Sequence, residues 1–237
     1  MSKDQFKHSY NDRLFGSGLR RLIHESRYLW VQKKIKNQKL KTILELGCFD
    51  GKLLEYLPQN PATYDGFDAN WENGLDLAKE KWRKFPNFNF VESTNLTEFK
   101  PNLQSYDLTI CMETLEHVPD KDVPGYLKIL ATYSSNDCLI TVPNEIGIFL
   151  LLKTIYKKIK GTDTESYSIR ELFFGIVGNV KKVKRNPGGH KGFSHKVLLN
   201  QMQNDFEILN IDGLPFSWLP TNLNPTIGIV ARRKEND

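Results

Sequence analysis

The stretch ILELGCFDG, residues 43–51, is an apolar run broken by one acid and closed by a turn with a glycine at each end. Four or five apolar positions in succession suit a strand buried on both faces of a parallel sheet, where alternation is not needed. Gly47 and Gly51 give the chain the conformational freedom to turn tightly beside a ligand before a helix starts. Such a loop at the carboxyl end of a parallel strand is where α/β proteins place their binding crevice. Alone the motif is also compatible with an ordinary strand-to-helix turn.

A second acid strengthens the reading. Asp68 stands 23 residues after Glu45, at the end of the strand-like run TYDGF, 63–67. A carboxylate at that point can accept hydrogen bonds from two ribose hydroxyls, although an isolated Asp also suits a turn or the N-cap of a helix from Ala69. The third element is YDLTICMETLEHVPD, residues 106–120, in which a β-branched, alternating strand ends at Met112 and runs into Glu113, Glu116 and His117. Three strand ends then converge on one crevice.

Outward from these segments, strands are expected at 41–46, 63–67, 87–91, 106–112 and 138–142, with intervening helices at 51–57, 71–84 and 122–133. Alternating strands and helices imply an α/β, doubly wound, mostly parallel sheet with helices on both faces. A helix is expected over 18–36, near the mouth of the site. After Pro143 and Asn144 the rhythm is interrupted for some forty residues, read as a substrate-side insertion at 144–193, before a helix at 194–203 and strands near 206–212 and 226–232. The whole of 1–237 is read as a single domain with an N-terminal helical segment at 1–39.

Composition fits that reading. The 237 residues are 39% hydrophobic and 26% charged, enough for a substantial core. Cys48, Cys111 and Cys138 lie on or beside expected strands at spacings unlike a zinc site, and their odd number suits a reducing compartment. The segment MSKDQFKHSYNDR lacks the apolar region of a secretory signal, and no window is apolar enough to span a bilayer. A cytoplasmic protein is expected. The net charge of +5 is gathered in KTIYKKIKG, 153–161, and KKVKRNPGGHK, 181–191, which suits an anionic partner or a solvated lysine face.

Taken together, ELGCFDG, Asp68 and CMETLEHVPD resemble the class I S-adenosylmethionine-dependent methyltransferases, closely over residues 40–145 and loosely over the last third. The resemblance implies a seven-stranded sheet of order 3-2-1-4-5-7-6, closed by an antiparallel hairpin. It implies S-adenosylmethionine held by Glu45, Gly47, Cys48, Phe49 and Gly51 in the loop, Asp68 on the ribose, Ala69 and Trp71 near the adenine, Ser93 beside it, and the Met112 carbonyl facing the cofactor's ammonium. Two departures stand out. Phe49 replaces a common middle glycine, and VESTNL, 91–96, has Ser93 where an acid often binds the adenine amino group.

The E-x-x-E-H cluster of Glu113, Glu116 and His117 resembles that of ubiquinone-biosynthesis O-methyltransferases and also that of small-RNA 2'-O-methyltransferases, in which it holds a divalent ion with a later histidine. His117 is the leading base for a hydroxyl acceptor, or a cap of the turn. His190 is a second catalytic candidate and the fourth ligand of a metal set Glu113, Glu116, His117 and His190, with magnesium as one candidate ion. His195 is read as a capping or surface residue. The absence of an aromatic-rich loop at VPNE, 142–145, favours oxygen as acceptor on a small or lipid-linked molecule. RNA 2'-O-methylation is the alternative, and a cofactor-binding protein without activity is another, supported by Phe49 and Ser93.

The run IGIFLLLKTIYKKIKG, 146–161, joins apolar residues to lysines and reads as a membrane-surface helix, a lid over the acceptor or a dimer contact. Tyr167, Phe173 and Phe174 are offered as walls of an apolar acceptor pocket.

Overall fold

The computed structural model describes residues 18–162 and 167–234, except for the side chain of Leu19. The N-terminal part of the expected 1–39 segment lies outside the described residues. The strands are β1 Thr42–Leu46, β2 Thr63–Asp68, β3 Phe88–Glu92, β4 Tyr106–Met112, β5 Ser134–Pro143, β6 Phe206–Leu214 and β7 Thr226–Arg233. They form one sheet of order β3-β2-β1-β4-β5-β7-β6. Neighbours from β3 through β5 run parallel, whereas β7 pairs antiparallel with both β5 and β6.

The helices are α1 Gly18–Ile35, α2 Gly74–Trp82, α3 Val123–Tyr133, α4 Gly147–Lys160, α5 Ile169–Ile176 and α6 His195–Met202. Each face of the sheet carries its own core. On one, Leu127 and Leu130 of α3 and Leu198 and Met202 of α6 pack with Leu44, Leu46 and Ile140. On the other, Trp30, Val31 and Ile35 of α1 and Leu75 and Ala78 of α2 pack with Ile43, Tyr64 and Ile110. A Cβ on Gly228 of β7 would stand 2.7 Å from the Trp30 ring, so that glycine makes room for the indole, whose Nε1 donates to Asp212 at 2.8 Å. All three cysteines are buried free thiols.

Two expected helices are shorter than their sequence patterns. Residues Lys52–Tyr56 form a 3₁₀ turn rather than a helix over 51–57. Gly51 enters in the left-handed region at φ 67°, and Leu57 is extended, as a residue before proline prefers, leaving only five residues between them. The expected 71–84 helix starts at Gly74 because Asn70, Glu72 and Asn73 all have positive φ. Asn70 then caps the delayed start, its Oδ1 accepting from Leu75 N at 3.1 Å. The interrupted stretch after β5 contains α4, α5 and a short 3₁₀ turn at Val180–Lys182. Among the described residues no helix is long and apolar enough to cross a membrane.

Candidate active site

The parallel strands β1, β2 and β4 send their carboxyl ends to one edge of the sheet, where a cavity of about 530 Å³ opens. That size is ordinary for a small-molecule site. Glu45, Gly47, Cys48, Phe49, Asp68, Ala69, Ser93 and Met112 all line it. Gly51 does not. A Cβ there would stand 2.9 Å from Trp82 Nε1 and 3.0 Å from Phe90, so the second glycine of the motif serves the turn and the core behind it.

The loop is closed by its own backbone. Gly47 N and Cys48 N both donate to the Phe67 carbonyl, at 2.7 and 3.2 Å, and Gly51 N donates to the Cys48 carbonyl at 2.9 Å. A Cβ on Gly47 would come 1.8 Å from Thr114 Oγ1, so this glycine, at φ 78°, lets the β1 and β4 loops touch. Thr114 in turn donates to the Met112 carbonyl at 2.9 Å. Phe49 keeps the left-handed backbone of the glycine it replaces, at φ 46°, and its ring packs over Gly74, where a Cβ would stand only 2.4 Å away. The aromatic ring is therefore carried to the start of α2 and beside Trp71, at a centroid distance of 6.4 Å.

The acids differ in state. Asp68 accepts from Phe49 N at 3.0 Å, and the backbone amides of Ala69, Asn70 and Trp71 also favour its charge. Burial outweighs them and holds its pKa above the usual carboxylate value. Glu45 is almost fully buried and accepts from Tyr64 Oη at 2.5 Å. Burial, with Asp50 and Asp68 adding negative charge, pushes its pKa up to about 8 against the opposing Tyr64 bond. Ser93 donates its hydroxyl to the Asn95 carbonyl at 3.1 Å.

The other wall is built from α1, the segment after β4 and the loop before α6. Arg27 and Tyr28 of α1, His117, Pro187 and Gly188 line it. The Pro187 carbonyl can only accept, so the 3.0 Å contact with His117 Nδ1 fixes the proton there and puts the ring's lone pair on Nε2. Nε2 points to Glu116 Oε1 at 3.9 Å. Burial lowers the His117 pKa from its ordinary value. Arg185 pins this loop to the β4 side by donating to the Glu116 carbonyl at 2.5 Å and pairing with Asp120 at 3.1 Å.

Glu116, His117 and His190 bring one ligand atom each within 4.8 Å of one another. The rings of His117 and His190 lie 5.1 Å apart. Glu113 stands outside this group: its backbone is left-handed, at φ 48°, and its carboxylate lies 4.0 Å from the Arg27 guanidinium. The Glu116 side chain is wholly buried, and neither of its carboxylate oxygens has a hydrogen-bond partner among the described residues. Burial and the neighbouring Glu113 raise its pKa well above the usual range. Leaving both oxygens of a buried carboxyl unpartnered is costly, so the geometry suits a bound cation as well as a retained proton. His190 is oriented by Glu145, whose Oε1 lies 3.3 Å from its Nδ1 and also pairs with Lys153.

Arg27 and Glu145 carry no motif and are missed by reading the sequence. Arg27 lines the cavity from α1, whereas Glu145 does not line it and reaches His190 from just beyond the end of β5. His195, expected as a cap or on the surface, is instead buried in the first turn of α6, and desolvation lowers its pKa to about 4. Tyr167, Phe173 and Phe174 do not line the cavity. Phe173 faces outward, and Lys182 lies 4.6 Å above the Phe174 ring.

A nucleotide-sized crevice at the ends of β1, β2 and β4, in a sheet closed by the β6–β7 hairpin, defines a class I methyltransferase architecture. A family model described as a methyltransferase domain matches residues 14–147. The chain belongs to that family and is an S-adenosylmethionine-dependent methyltransferase.

Among curated proteins it is 28% identical over 201 residues to a ubiquinone biosynthesis O-methyltransferase of Vibrio parahaemolyticus, an alignment covering 82% of this chain and 76% of that one. The protein of the same name from Haemophilus ducreyi is 30% identical, but the alignment covers only 42% of this chain and 44% of the relative. Among solved structures, an S-adenosylmethionine-dependent methyltransferase from Clostridium acetobutylicum superposes with a TM-score of 0.63 at 13% identity, covering 94% of this chain and 95% of that one. The small RNA methyltransferase HEN1 superposes with a TM-score of 0.62 at 17% identity, over 90% of this chain and 26% of its own. Both structural matches are likenesses of fold.

Proposed function

We propose that the enzyme transfers a methyl group to a hydroxyl oxygen of a small or lipid-linked acceptor, with residues 1–237 acting as one unit and 144–193 as its acceptor-side insertion. The observation that carries this reading is His117 on the cavity wall, its Nδ1–H donated to Pro187 so that the lone pair is left on Nε2, 3.9 Å from Glu116. An oxygen acceptor must lose a proton as it attacks the methyl carbon, and a base set at that point contributes about 10² to 10⁴ in rate. The likeness to ubiquinone biosynthesis O-methyltransferases supports oxygen as the acceptor atom.

In this reading Asp68 takes the ribose hydroxyls of S-adenosylmethionine, Phe49, Ala69 and Trp71 border the adenine, and Ser93 stands at its edge. The second lone pair of the Met112 carbonyl, beyond the one used by Thr114, receives the ammonium. Arg27 is the cation on the opposite wall for the carboxylate. Because the Gly47 and Cys48 amides are occupied by Phe67, the β1 loop meets the cofactor by close approach rather than by donating hydrogen bonds. The donor already has a good leaving group, so the protein's task is to hold it in line with the acceptor and keep water out.

A second reading rests on Glu116, the wholly buried carboxyl facing two oriented imidazoles. Glu116, His117 and His190 would hold a divalent cation, which supplies charge that lowers the pKa of an acceptor hydroxyl. Two imidazoles and one carboxylate suit manganese, cobalt, iron or zinc better than magnesium. An RNA 2'-hydroxyl is the acceptor this version favours. The test is methyl transfer from labelled donor to catechol-type phenols and to short RNA, each with and without chelator, with the methylated atom found by mass spectrometry. Label on phenol oxygen supports the first reading. Chelator-sensitive label on RNA selects the second, and label on nitrogen or carbon overturns both.

A further inference from the structure

Between the 3₁₀ turn at Val180–Lys182 and α6 the chain folds back on itself as a narrow loop, residues 185–192. Asn186 N donates to the Lys191 carbonyl at 3.0 Å, and Gly189 N to the Asn186 carbonyl at 3.1 Å. Gly192, at φ 78°, closes the neck: a Cβ there would stand 3.1 Å from Arg185 Cα, so the two arms run in backbone contact. The loop carries two groups of the site, the Pro187 carbonyl on His117 Nδ1 and the His190 ring.

Two side chains hold this loop, each to a different part of the fold. Glu171 of α5 accepts from Lys184 N at 3.2 Å and from Lys191 Nζ at 3.0 Å. Arg185 serves the β4 side. Its Nη1 donates to the Asn186 and Lys191 carbonyls, each at 3.4 Å, which joins the two arms. Its Nη2 donates to the Glu116 carbonyl at 2.5 Å and its Nε to Asp120 Oδ1 at 3.1 Å, which joins both arms to the segment containing His117. The guanidinium also lies 5.4 Å from the centre of the Phe193 ring. Only a planar fork of five N–H groups serves four acceptors in this way.

Occupancy shows what Arg185 is for. It does not line the cavity, and each of its nitrogens already has a protein acceptor, so it is no anchor for an anionic ligand. Its charged partner Asp120 is 70% exposed, and a pair so placed adds little to stability. What the fork fixes is position. Pro187 follows Arg185 by two residues, so a clasp on Arg185 and on the Asn186 carbonyl holds the Pro187 carbonyl against His117. An imidazole held by a carbonyl keeps its proton on the facing nitrogen, whereas an unheld ring distributes it over both.

We propose that Arg185 is a positioning residue for methyl transfer: by clasping loop 185–192 to the segment after β4, it keeps the Pro187 carbonyl on His117 Nδ1 and so leaves the basic lone pair on Nε2. The inference rests on the reading of His117 as the base and adds what makes that ring competent.

The first test needs no acceptor. Nitrogen-15 spectra of the full chain, with the His117 ring signals assigned by their loss in His117→Asn, should show the neutral wild-type ring protonated on Nδ1. Arg185→Met, which keeps the stem and removes every donor, should spread the proton over both nitrogens. Affinity for S-adenosylhomocysteine should stay within about twofold, because the cofactor wall shares no partner with Arg185. Asp120→Ala should move the proton in the same direction by less, and it decides the matter should Arg185→Met fail to fold. Glu171→Gln loosens the same loop at α5 and should lower the melting temperature without moving the proton.

With catechol as the acceptor, Arg185→Met should lower kcat about tenfold with KM little changed, less than the about 10² to 10⁴ expected for removing the base itself. In a His117→Asn background it should cost nothing more, since it acts through that ring. An unmoved proton in Arg185→Met, an equal shift in Glu171→Gln, or kcat losses that multiply in the double variant overturn the proposal. A wild type that leaves catechol unmethylated counts against the reading of the reaction, and the ring spectrum then still decides the role of Arg185.

Discussion

The two walls of the cavity are made by different means. The β1–β2 wall is fixed by backbone: left-handed residues at Gly47 and Phe49, amides closed on Phe67, and one carboxylate, Asp68, gathering four amides. The opposite wall is fixed by side chains from distant parts of the chain, Arg27, Tyr28 and His117, with His190 and Glu145 behind it, held by contacts such as Arg185 on the Glu116 carbonyl. A backbone-built wall suits a constant ligand, because its shape tolerates little change. A side-chain wall can be altered one residue at a time, which is where acceptor choice can diverge between relatives.

If the walls divide the labour in this way, substitutions should separate into two kinetic classes. The largest effect is expected for His117→Asn, which keeps a ring-side donor but removes the base: kcat should fall by about 10² to 10⁴ with cofactor affinity unchanged. The wild-type rate should also rise with pH through a midpoint below the ordinary histidine value of about 6.5, because burial favours the neutral, base-competent imidazole. A variant that instead loses cofactor affinity would break the division.

Next is Asp68→Ala, expected to weaken S-adenosylmethionine by about 100-fold or more, since two hydrogen bonds to a charged acceptor are lost. Calorimetry measures it. Gly51→Ala sharpens the comparison from the other side, because it alters the motif but not the cavity. It should cost about 2 kcal/mol of stability, from a left-handed alanine pressed against Trp82 and Phe90, and leave affinity near wild type.

The smallest effect is a proton count. Glu45 keeps its proton up to about pH 8 in the free protein. A cationic cofactor beside it lowers that value, so binding between about pH 5 and 8 should release a fraction of one proton, seen as a dependence of binding enthalpy on buffer ionisation enthalpy. Glu45→Gln should abolish the dependence. The same shift sets a sign for stability: a carboxyl whose folded pKa is raised stabilises fully below its unfolded value of about 4.5, and that contribution is lost as pH rises through about 8.

The strands and the β1–β2 wall were legible because they rest on local patterns, buried apolar runs, a glycine turn and an acid at a strand end, whereas the strand order followed from the family resemblance. The exact helix starts were not, because Asn70, Glu72 and Asn73 adopt left-handed backbone that propensity does not announce. Gly51 lies in the motif and was read with the ligand, yet what it faces is set by α2 and β3 packing behind the loop. Arg27 sits among other basic residues of α1, and only the crossing of that helix over the sheet singles it out. His195 read as a surface residue because burial of a polar side chain in a first helical turn has no sequence signal. The apolar run within 146–161 was visible in the sequence, but which side of α4 faced solvent needed the fold.

The placement of β7 has a consequence for biosynthesis. This strand fits between β5 and β6, so the edge of β5 finds its neighbour only when about 80 further residues have left the ribosome. Until then an apolar edge and its open amides are available to any other extended chain. Nascent protein is therefore most exposed to aggregation in that interval, and a chaperone that shields sheet edges would raise the yield more than one acting on the first five strands.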